Sequence, residues 1–462
     1  MSVKTGVRSV SYSGLRAGSG PLAWGQRDIW NKIGNLGELG SRFNLVCAVD
    51  VPDGTAVESL LAAVVGMVER HESLRTRFSV GPDGEPRQEL SADGEIPVGV
   101  RTLERVDTAA VATACAEMQG QSIELDDVPL RVEILTDGTA PRSLIVCVSH
   151  LLCDGVGLAV LRRELSDFLS SGAFPRDDGA ARPQPLDRAA FEQSPAGRRV
   201  NEQALAYWRS QVERYPARLF PPPSHTESVP RYRSGVVRSP VISAVPKLTA
   251  RRHRVSPNAV GVAVWALLIG LLAESDRSVL HLICANRARP GDRQAVEQLA
   301  QCVPIVIDLD HGSFAELFRD VHRQCIKAYS HAMYCPVQAG RVVTDLAPPG
   351  THPDRSRCLV NPLFGVFDPS PGGADLPPDG ADASLPAMAA SATVEWSGGT
   401  SRDDVTGFVR LGPNDEALLQ ADTRVFPPDL IEQALRAAPE LLVAGYRDDT
   451  PPADAARRAL TG

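Results

Sequence analysis

The sequence predicts a mixed α/β protein folded as two subdomains, and three observations carry that expectation. The chain has 462 residues, too many for one ordinary hydrophobic core, and length alone suggests two or three domains of usual size. Apolar residues switch between strand-like and helix-like spacing in both halves, as alternating α/β layers require. A Pro/Gly/Asp/Ala-rich stretch from Ser171 to Pro185 reads as a linker. The subdomains are therefore expected at 1–175 and 176–462.

The first half reads β, α, β, β, α. Val57, Leu60, Leu61, Val64, Val65 and Val68 have helical spacing over 55–70, with Thr55 and Glu58 as a capping-box signature. Leu74–Phe78 alternates as a half-exposed strand does. Arg131–Leu135 and Leu144–Val148 are further strands. The second is apolar on both faces, which suits a central strand covered on both sides. Val156–Leu169 is the next helix.

In the second half an amphipathic helix surrounds Tyr207 and Trp208, followed by the Pro-rich stretch Pro216–Pro230. Val255–Ala273 carries no charge and is near the lower length limit for crossing a bilayer. Ser256 and Pro257 read as an N-cap and a first-turn proline, so a buried helix is expected, with a membrane span as the minor alternative. Strands are expected at Val279–Ala285, Pro304–Leu309, Leu363–Phe367, Val405–Leu411 and Ala417–Ala421. Helices are expected at Phe314–Tyr329, with Ser313 and Glu316 as a capping box, and from Asp429. Residues Asp368–Ala392 read as a long flexible loop, the kind that is usually functional or disordered.

Composition narrows the function classes. Hydrophobic residues make up 43% and charged residues 23%, a globular balance. The net charge is −8 and no Lys/Arg block is visible, which argues against nucleic acid as partner. The N-terminus lacks the apolar stretch of about 7–15 residues that marks a secretion signal. The nine cysteines are scattered singletons with no CxxC pair. A zinc site or disulfide framework is not expected, and a reducing cytoplasm fits.

The sharpest local feature is Ser149-His150-Leu151-Leu152-Cys153-Asp154-Gly155, where an apolar strand stops and a helix begins. A His at such a junction suits general base work, because its ordinary pKa is near neutrality. Asp154 is placed to orient the ring or anchor the loop. Gly155 permits a tight turn, and the helix N-terminus offers unpaired N–H groups. An HxxxDG string arises by chance in a chain this long on the order of a few per cent of the time. Alone it is only suggestive, and a lone His ending a strand is more often a core or capping residue.

The string has company in a particular order. SHLLCDG resembles the HHxxxDG motif of the condensation domains of nonribosomal peptide synthesis, with Ser149 replacing the first His. Trp24–Trp30 (WGQRDIW) resembles their first motif, and Arg70–Phe78 (RHESLRTRF) matches the second, RHExLRTxF. Tyr207-Trp208, Asn286-Arg287 and Asn361–Phe364 (NPLF) fall where the family has YW, NR and NPLF. The resemblance covers nearly the whole chain, and the order is more specific than any one motif.

What the resemblance implies is a free-standing condensation enzyme. The family is similar in fold to chloramphenicol acetyltransferase. It has two such α/β subdomains in a V-shaped pseudodimer with a central tunnel, which carrier-bound thioesters enter from opposite faces. His150 would stand at mid-tunnel. Asp154 would pair with Arg287, joining the halves and holding the His loop. Backbone N–H groups near Gly155 would stabilise an oxyanion, and the 368–392 loop would lie near the subdomain crossover. Trp24 and Gln301 are tunnel candidates. The implied activity moves an acyl group from a carrier thioester to an amine or hydroxyl acceptor, giving an amide or ester in natural-product and antibiotic biosynthesis. No metal or redox cofactor is implied, since the phosphopantetheine arm belongs to the carrier. No adenylation or carrier motif is evident, so the expected partners are carrier proteins in trans and a small-molecule or carrier-bound acceptor. Nucleic acid and membrane are not expected, and a monomer is.

The departures keep other readings open. Strand alternation puts Ser149 and His150 on opposite faces, and no GxSxG elbow occurs, so direct attack by the acceptor is favoured over an acyl-enzyme. The family's fifth motif commonly reads VGxFVNT, whereas Val296–Val303 reads VEQLAQCV, with the Gly lost and Gln301 roughly at the Asn. A non-catalytic recruitment domain is one alternative. A coenzyme A-dependent acyltransferase sharing HxxxDG is another, although the DFGWG motif of the plant type is absent. His71 and Arg75 read as structural, Cys153 as a small buried filler, Trp24 and Trp30 as core or tunnel-wall aromatics. His322 and His331 have no metal-ligand partner at useful spacing.

Overall fold

The computed structural model describes residues 4–36, 43–175, 182–223, 229–346, 357–364, 381–397, 405–412, 414–448 and 450–461. The chain packs as two compact units, 1–199 with 285–300, and 200–284 with 301–462. The first unit thus takes in a short segment from far along the chain. The sequence reading divided the chain at 175/176 and kept 285–300 with the second half.

The first unit runs β1 (Lys4–Tyr12), β2 (Gly18–Pro21), α1 (Trp24–Leu36), β3 (Asn44–Asp50), α2 (Val57–Arg70), β4 (Thr76–Val80), β5 (Pro86–Leu90), β6 (Gly94–Leu103), α3 (Thr108–Gly120), β7 (Leu130–Asp137), β8 (Ala140–Ser149), α4 (Gly155–Ser171) and α5 (Pro185–Gln193). Helix α6 (Pro195–Val212) begins in it. The main sheet has the order β1-β6-β7-β8-β3, and a small sheet has the order β2-β5-β4. Only the β6/β7 pair of the main sheet is parallel.

Strand β8 explains its own sequence. Leu144, Val146 and Val148 enter the core that includes α2 and α4, while Ile145 and Cys147 enter a second cluster with Ala114 and Met118 of α3. All five are fully buried, and each buried aliphatic side chain contributes roughly 1.5–3 kcal/mol. A strand covered on both faces can carry an unbroken apolar run, and this run carries His150 at its end.

The second unit contains β9 (Tyr232–Arg238), α7 (Pro240–His253), α8 (Pro257–Leu272), β10 (Arg277–Cys284), β11 (Gln301–Asp308), α9 (Phe314–Tyr329), α10 (Pro336–Leu346), β12 (Cys358–Pro362), α11 (Ala381–Ala390), β13 (Thr393–Ser397), β14 (Gly407–Leu411), β15 (Glu416–Asp422), α12 (Pro428–Arg447) and α13 (Pro452–Thr461). Its sheet has the order β11-β10-β12-β14-β15-β9-β13. Helix α8 is the charge-free run, capped by Ser256, whose hydroxyl accepts from the Ala259 N–H at 3.2 Å. Ala259 to Gly270 are all buried, so the helix is apolar all round because it is surrounded by protein. Among the described residues no single helix is long and apolar enough to cross a membrane.

Four expectations are corrected. Glu72–Arg75 is a 3₁₀ turn, and the strand starts only at Thr76, because Leu74 and Arg75 are both buried and the chain must turn between α2 and β4. The N-cap of α2 is Ala56 without a side-chain cap, since the Thr55 hydroxyl donates to the Pro52 carbonyl instead, at 2.7 Å. The strand expected at Leu363–Phe367 is β12, ending at Pro362, with 365–367 outside the described residues. Of the loop expected at 368–392, residues 368–380 lie outside the described residues, and 381–390 form α11.

Candidate active site

The site begins where β8 ends. The His150 N–H donates to the Phe43 carbonyl at 2.7 Å, continuing the β3 register for one residue. The Leu152 N–H then closes a turn on the Ser149 carbonyl at 2.9 Å. The Ser149 side chain is buried, and its hydroxyl accepts from the Leu151 N–H at 3.3 Å. Ser149 therefore belongs to the turn.

Asp154 is the knot that holds this turn. It is the N-cap of α4, and Oδ1 accepts from the Gly157 N–H at 2.8 Å. Oδ1 also accepts from Arg287 Nη2 at 2.7 Å, and Oδ2 from the N–H groups of Leu299 and Ala300 at 3.1 and 3.0 Å. A buried carboxylate is stable only when paired and hydrogen-bonded, and here both oxygens are. Arg287 is held in turn at both terminal nitrogens: Nη1 donates to the carbonyls of Asp292 and Ala295, both at 2.7 Å, and Nη2 reaches the Glu297 carbonyl at 3.3 Å. Asn286 explains the NR pair. Its φ of 54° is left-handed, a region Asn tolerates better than most residues, and its amide donates to the Leu299 carbonyl at 2.9 Å. The Asp154–Arg287 pair is formed, but the expectation that it joins the halves is corrected: the 285–300 segment that carries Arg287 packs with the first compact unit, so both partners lie inside it.

Gly155 opens α4 and is exposed. It is not among the left-handed glycines. The glycine under steric demand is Gly157, where a Cβ would stand 3.0 Å from the Cys153 Cβ and 3.2 Å from the Glu297 nitrogen. Cys153 is fully buried and its thiol is pushed up by burial, which makes it an inert filler. Nine free cysteines and no disulfide are present.

The His150 ring is part-buried. Its Nδ1 lies 2.9 Å from Gln298 Oε1, and the Phe43 ring meets it edge-on at 6.2 Å between centroids. Burial pushes its pKa below the ordinary value. The Asp154 charge, the His150 backbone and Gln298 act the other way, and Lys32 adds to the lowering. The ring is therefore held neutral at neutral pH, with a lone pair to accept a proton.

The other sequence candidates fall elsewhere. Trp24 starts α1, and its backbone N–H donates to Glu192 Oε2 at 2.8 Å. Gln301 opens β11 in the second unit, buried, with Nε2 donating to the Tyr334 carbonyl at 2.9 Å. His322 Nδ1 accepts from the Ser256 N–H at 3.3 Å, and His331 stacks on Tyr207. Among the described residues no group of three or more His, Cys, Asp or Glu is placed to hold a metal. A hollow of about 680 Å³ lined by Arg8, Glu58 and Arg142 sits at the Ala140 end of β8, the opposite end from His150. It holds none of the motif residues.

Sequence reasoning missed the charged bed beneath the loop. Arg188 pairs with Asp292 at 2.7 Å and approaches Glu297 at 3.5 Å, all of them buried. Burial pushes Glu297 up to about 7 and Glu192 to about 8, with Arg188 opposing both. It also missed Gln298. The only available signal was that Glu297 and Gln298 follow the NR pair within one short segment.

Comparison with known proteins agrees with this geometry. A family model for the condensation domain matches residues 20–357. A hybrid PKS-NRPS synthetase, lepA, of Aspergillus flavus is 26% identical over 326 residues, 68% of this chain and 8% of the relative. An isonitrile lipopeptide synthase of Mycobacterium tuberculosis is 27% identical over 67% of this chain and 13% of the relative. The chain thus spans a small part of the curated relatives it matches. The condensation domain of the monacolin K polyketide synthase MokA superposes with a TM-score of 0.70 at 14% identity, covering 95% of this chain and 99% of that one. The SgcC5 protein of Streptomyces globisporus superposes at 0.68 and 17% identity, covering 94% and 100%. These likenesses show the chloramphenicol acetyltransferase-like fold that the motifs led us to expect. With the family model spanning well over half its length, the chain belongs to the condensation-domain family.

Proposed function

We propose that this protein transfers an acyl group from a carrier-protein thioester to an amine or hydroxyl acceptor, with His150 as the base. The observation that carries the reading is a part-exposed imidazole at the end of a rigid strand, its Nδ1 engaged by the Gln298 amide, on a loop pinned by a fully satisfied carboxylate. As the acceptor nitrogen or oxygen attacks the thioester carbonyl, its proton passes to the His150 ring. The new C–N or C–O bond forms, the C–S bond breaks, and the proton leaves with the thiol. The phosphopantetheine arm of the carrier is substrate. The Gly157 N–H is already taken by Asp154, so any oxyanion donor at the start of α4 is the N–H of Gly155 or Val156. Asp154 and Arg287 act on geometry, holding the loop.

A second reading is a recruitment domain that binds carriers or tailoring enzymes without turnover. Ser149 in place of the first motif His favours it, as does Gln301, whose amide is committed to Tyr334. Single-turnover transfer from a loaded carrier, followed by intact mass, decides between the two. Acyl transfer by the wild type and its loss in His150→Ala support catalysis; carrier binding with no transfer to any acceptor supports recruitment.

A further inference from the structure

We propose that Gln298 is a positioning residue that fixes the tautomer of His150, holding the ring proton on Nδ1 and leaving Nε2 as the proton acceptor. The proposal rests on the reading of His150 as the base, and it follows from what each atom can do. A glutamine amide presents an acceptor oxygen and a donor nitrogen. Gln298 Nε2 stands 2.8 Å from the Ala300 carbonyl, which can only accept. That contact decides the orientation of the amide, so Oε1 is the atom facing His150 Nδ1 at 2.9 Å. An amide oxygen does not donate, so the bond exists only when Nδ1 carries the hydrogen. A neutral imidazole has one ring proton, and Nε2 is left with its lone pair.

The support behind Gln298 is stiff. The next two N–H groups, of Leu299 and Ala300, are both held by Asp154 Oδ2. On the other side the Gln298 carbonyl packs against α1 so closely that a Cβ on Gly25 would come within 2.4 Å of it. Gly25 is therefore required to be glycine by the backbone that carries Gln298. One carboxylate thus anchors both the loop that presents His150 and the segment that orients it. Replacing the amide by a carboxylate would keep the orientation but favour the imidazolium, which is a poorer base. An amide directs the ring without charging it.

The test reads the ring itself. Protein labelled with ¹⁵N-histidine, with His150→Ala to assign the signal, reports by NMR which ring nitrogen is protonated. In the wild type above the His150 pKa we expect Nδ1–H and an unprotonated Nε2. Gln298→Leu should give a mixture of tautomers and a fall in single-turnover rate on the order of 10²-fold, the size seen when a reacting group is misplaced, with little change in KM. Gln298→Glu should restore the Nδ1–H tautomer while moving the His150 titration to higher pH. An Nε2–H tautomer in the wild type overturns the proposal, as does an unchanged tautomer in folded Gln298→Leu. If Gln298→Leu does not fold, the Nδ1–H tautomer of the wild type together with the upward titration shift in Gln298→Glu carries the test, and an unshifted titration in Gln298→Glu overturns the proposal. An Nδ1–H wild type that catalyses no transfer leaves this inference standing and removes the acyltransferase reading instead.

Discussion

Two histidines of the first unit share a direction of pKa shift and differ in everything else. His71 is buried, with Nε2 at 2.7 Å from the Glu164 carboxylate, and Arg70 and Arg182 reach the same carboxylate at 3.2 and 3.3 Å. His150 is part-buried and faces the neutral amide of Gln298. Burial pushes both rings below the ordinary histidine range. At His71 the partner is a carboxylate that two arginines also reach, and the ring is one member of an ionic cluster. At His150 one nitrogen is engaged and the ring keeps some exposure. A lowered pKa alone therefore does not distinguish a structural histidine from a working one; the partner's charge and the ring's access do.

The largest expected effect lies in this contrast. His150→Ala should lower acyl transfer by about 10²–10⁴-fold, the usual contribution of a positioned base, with a nearly unchanged melting temperature. The loss should be greater with an alcohol acceptor than with an amine, because the alcohol needs deprotonation more. Equal rates for wild type and His150→Ala would remove His150 from the chemistry.

Asp154→Ala should act on stability and rate together. It leaves Arg287 buried without its partner, a loss that typically costs about 3–5 kcal/mol, and it frees the Leu299 and Ala300 N–H groups next to Gln298. Denaturant unfolding measures the first effect. An unchanged midpoint would show that the knot does not hold the loop.

His71→Ala should do the opposite of His150→Ala. It removes a hydrogen bond to a buried charge, worth roughly 1.5–3 kcal/mol, and leaves the rate per folded molecule close to wild type. The pH dependence has a definite sign. Because folding depresses the His71 pKa, the unfolded chain takes up the extra proton first as pH falls. The stability that comes with neutral His71 is full above about pH 6.5 and is lost as pH drops from there through the folded value. Unfolding curves of wild type and His71→Ala should therefore converge as pH falls from about 7 towards 5. Curves that stay parallel would mean that His71 is not buried in its neutral form.

Much of this comparison was legible in the chain, and what was not has a physical reason. β8 and α4 were legible because an unbroken apolar run and a 3.6-residue period are local signals. The same holds for α8 and α9, whose caps Ser256 and Ser313 sit where the sequence suggested. The Asp154–Arg287 pair, 133 residues apart, was accessible only through the order of the motifs. Gln298 was invisible, because its role depends on which carbonyl its amide meets. Thr55 failed as a cap for a related reason: a hydroxyl has several backbone acceptors within reach, and the Pro52 carbonyl was the one it met. The Glu192, Glu297 and Arg188 cluster was missed because charged residues usually face water, and nothing local signals that these do not.

The smallest expected effect is at Ser149, and it tests the mechanism most sharply. Ser149 stands beside His150 in sequence, so a serine nucleophile activated by the neighbouring histidine is a natural rival to direct attack. The geometry opposes it. Ser149 is 2% exposed, it pairs with Asn44 of β3 across the sheet, and its hydroxyl accepts from the Leu151 N–H inside the turn. A nucleophile must reach the thioester carbonyl, and this oxygen is walled in by the sheet that presents its neighbour. Ser149→Ala should therefore keep most of the transfer rate. It removes one acceptor from the turn, which costs roughly 0.5–1.5 kcal/mol and should lower the melting temperature slightly. Intact-mass analysis of the wild type caught during turnover should find no acyl group on the protein. An acyl adduct on Ser149, or loss of turnover in a folded Ser149→Ala protein, would replace direct attack by a covalent route and would require this loop to open before it reacts.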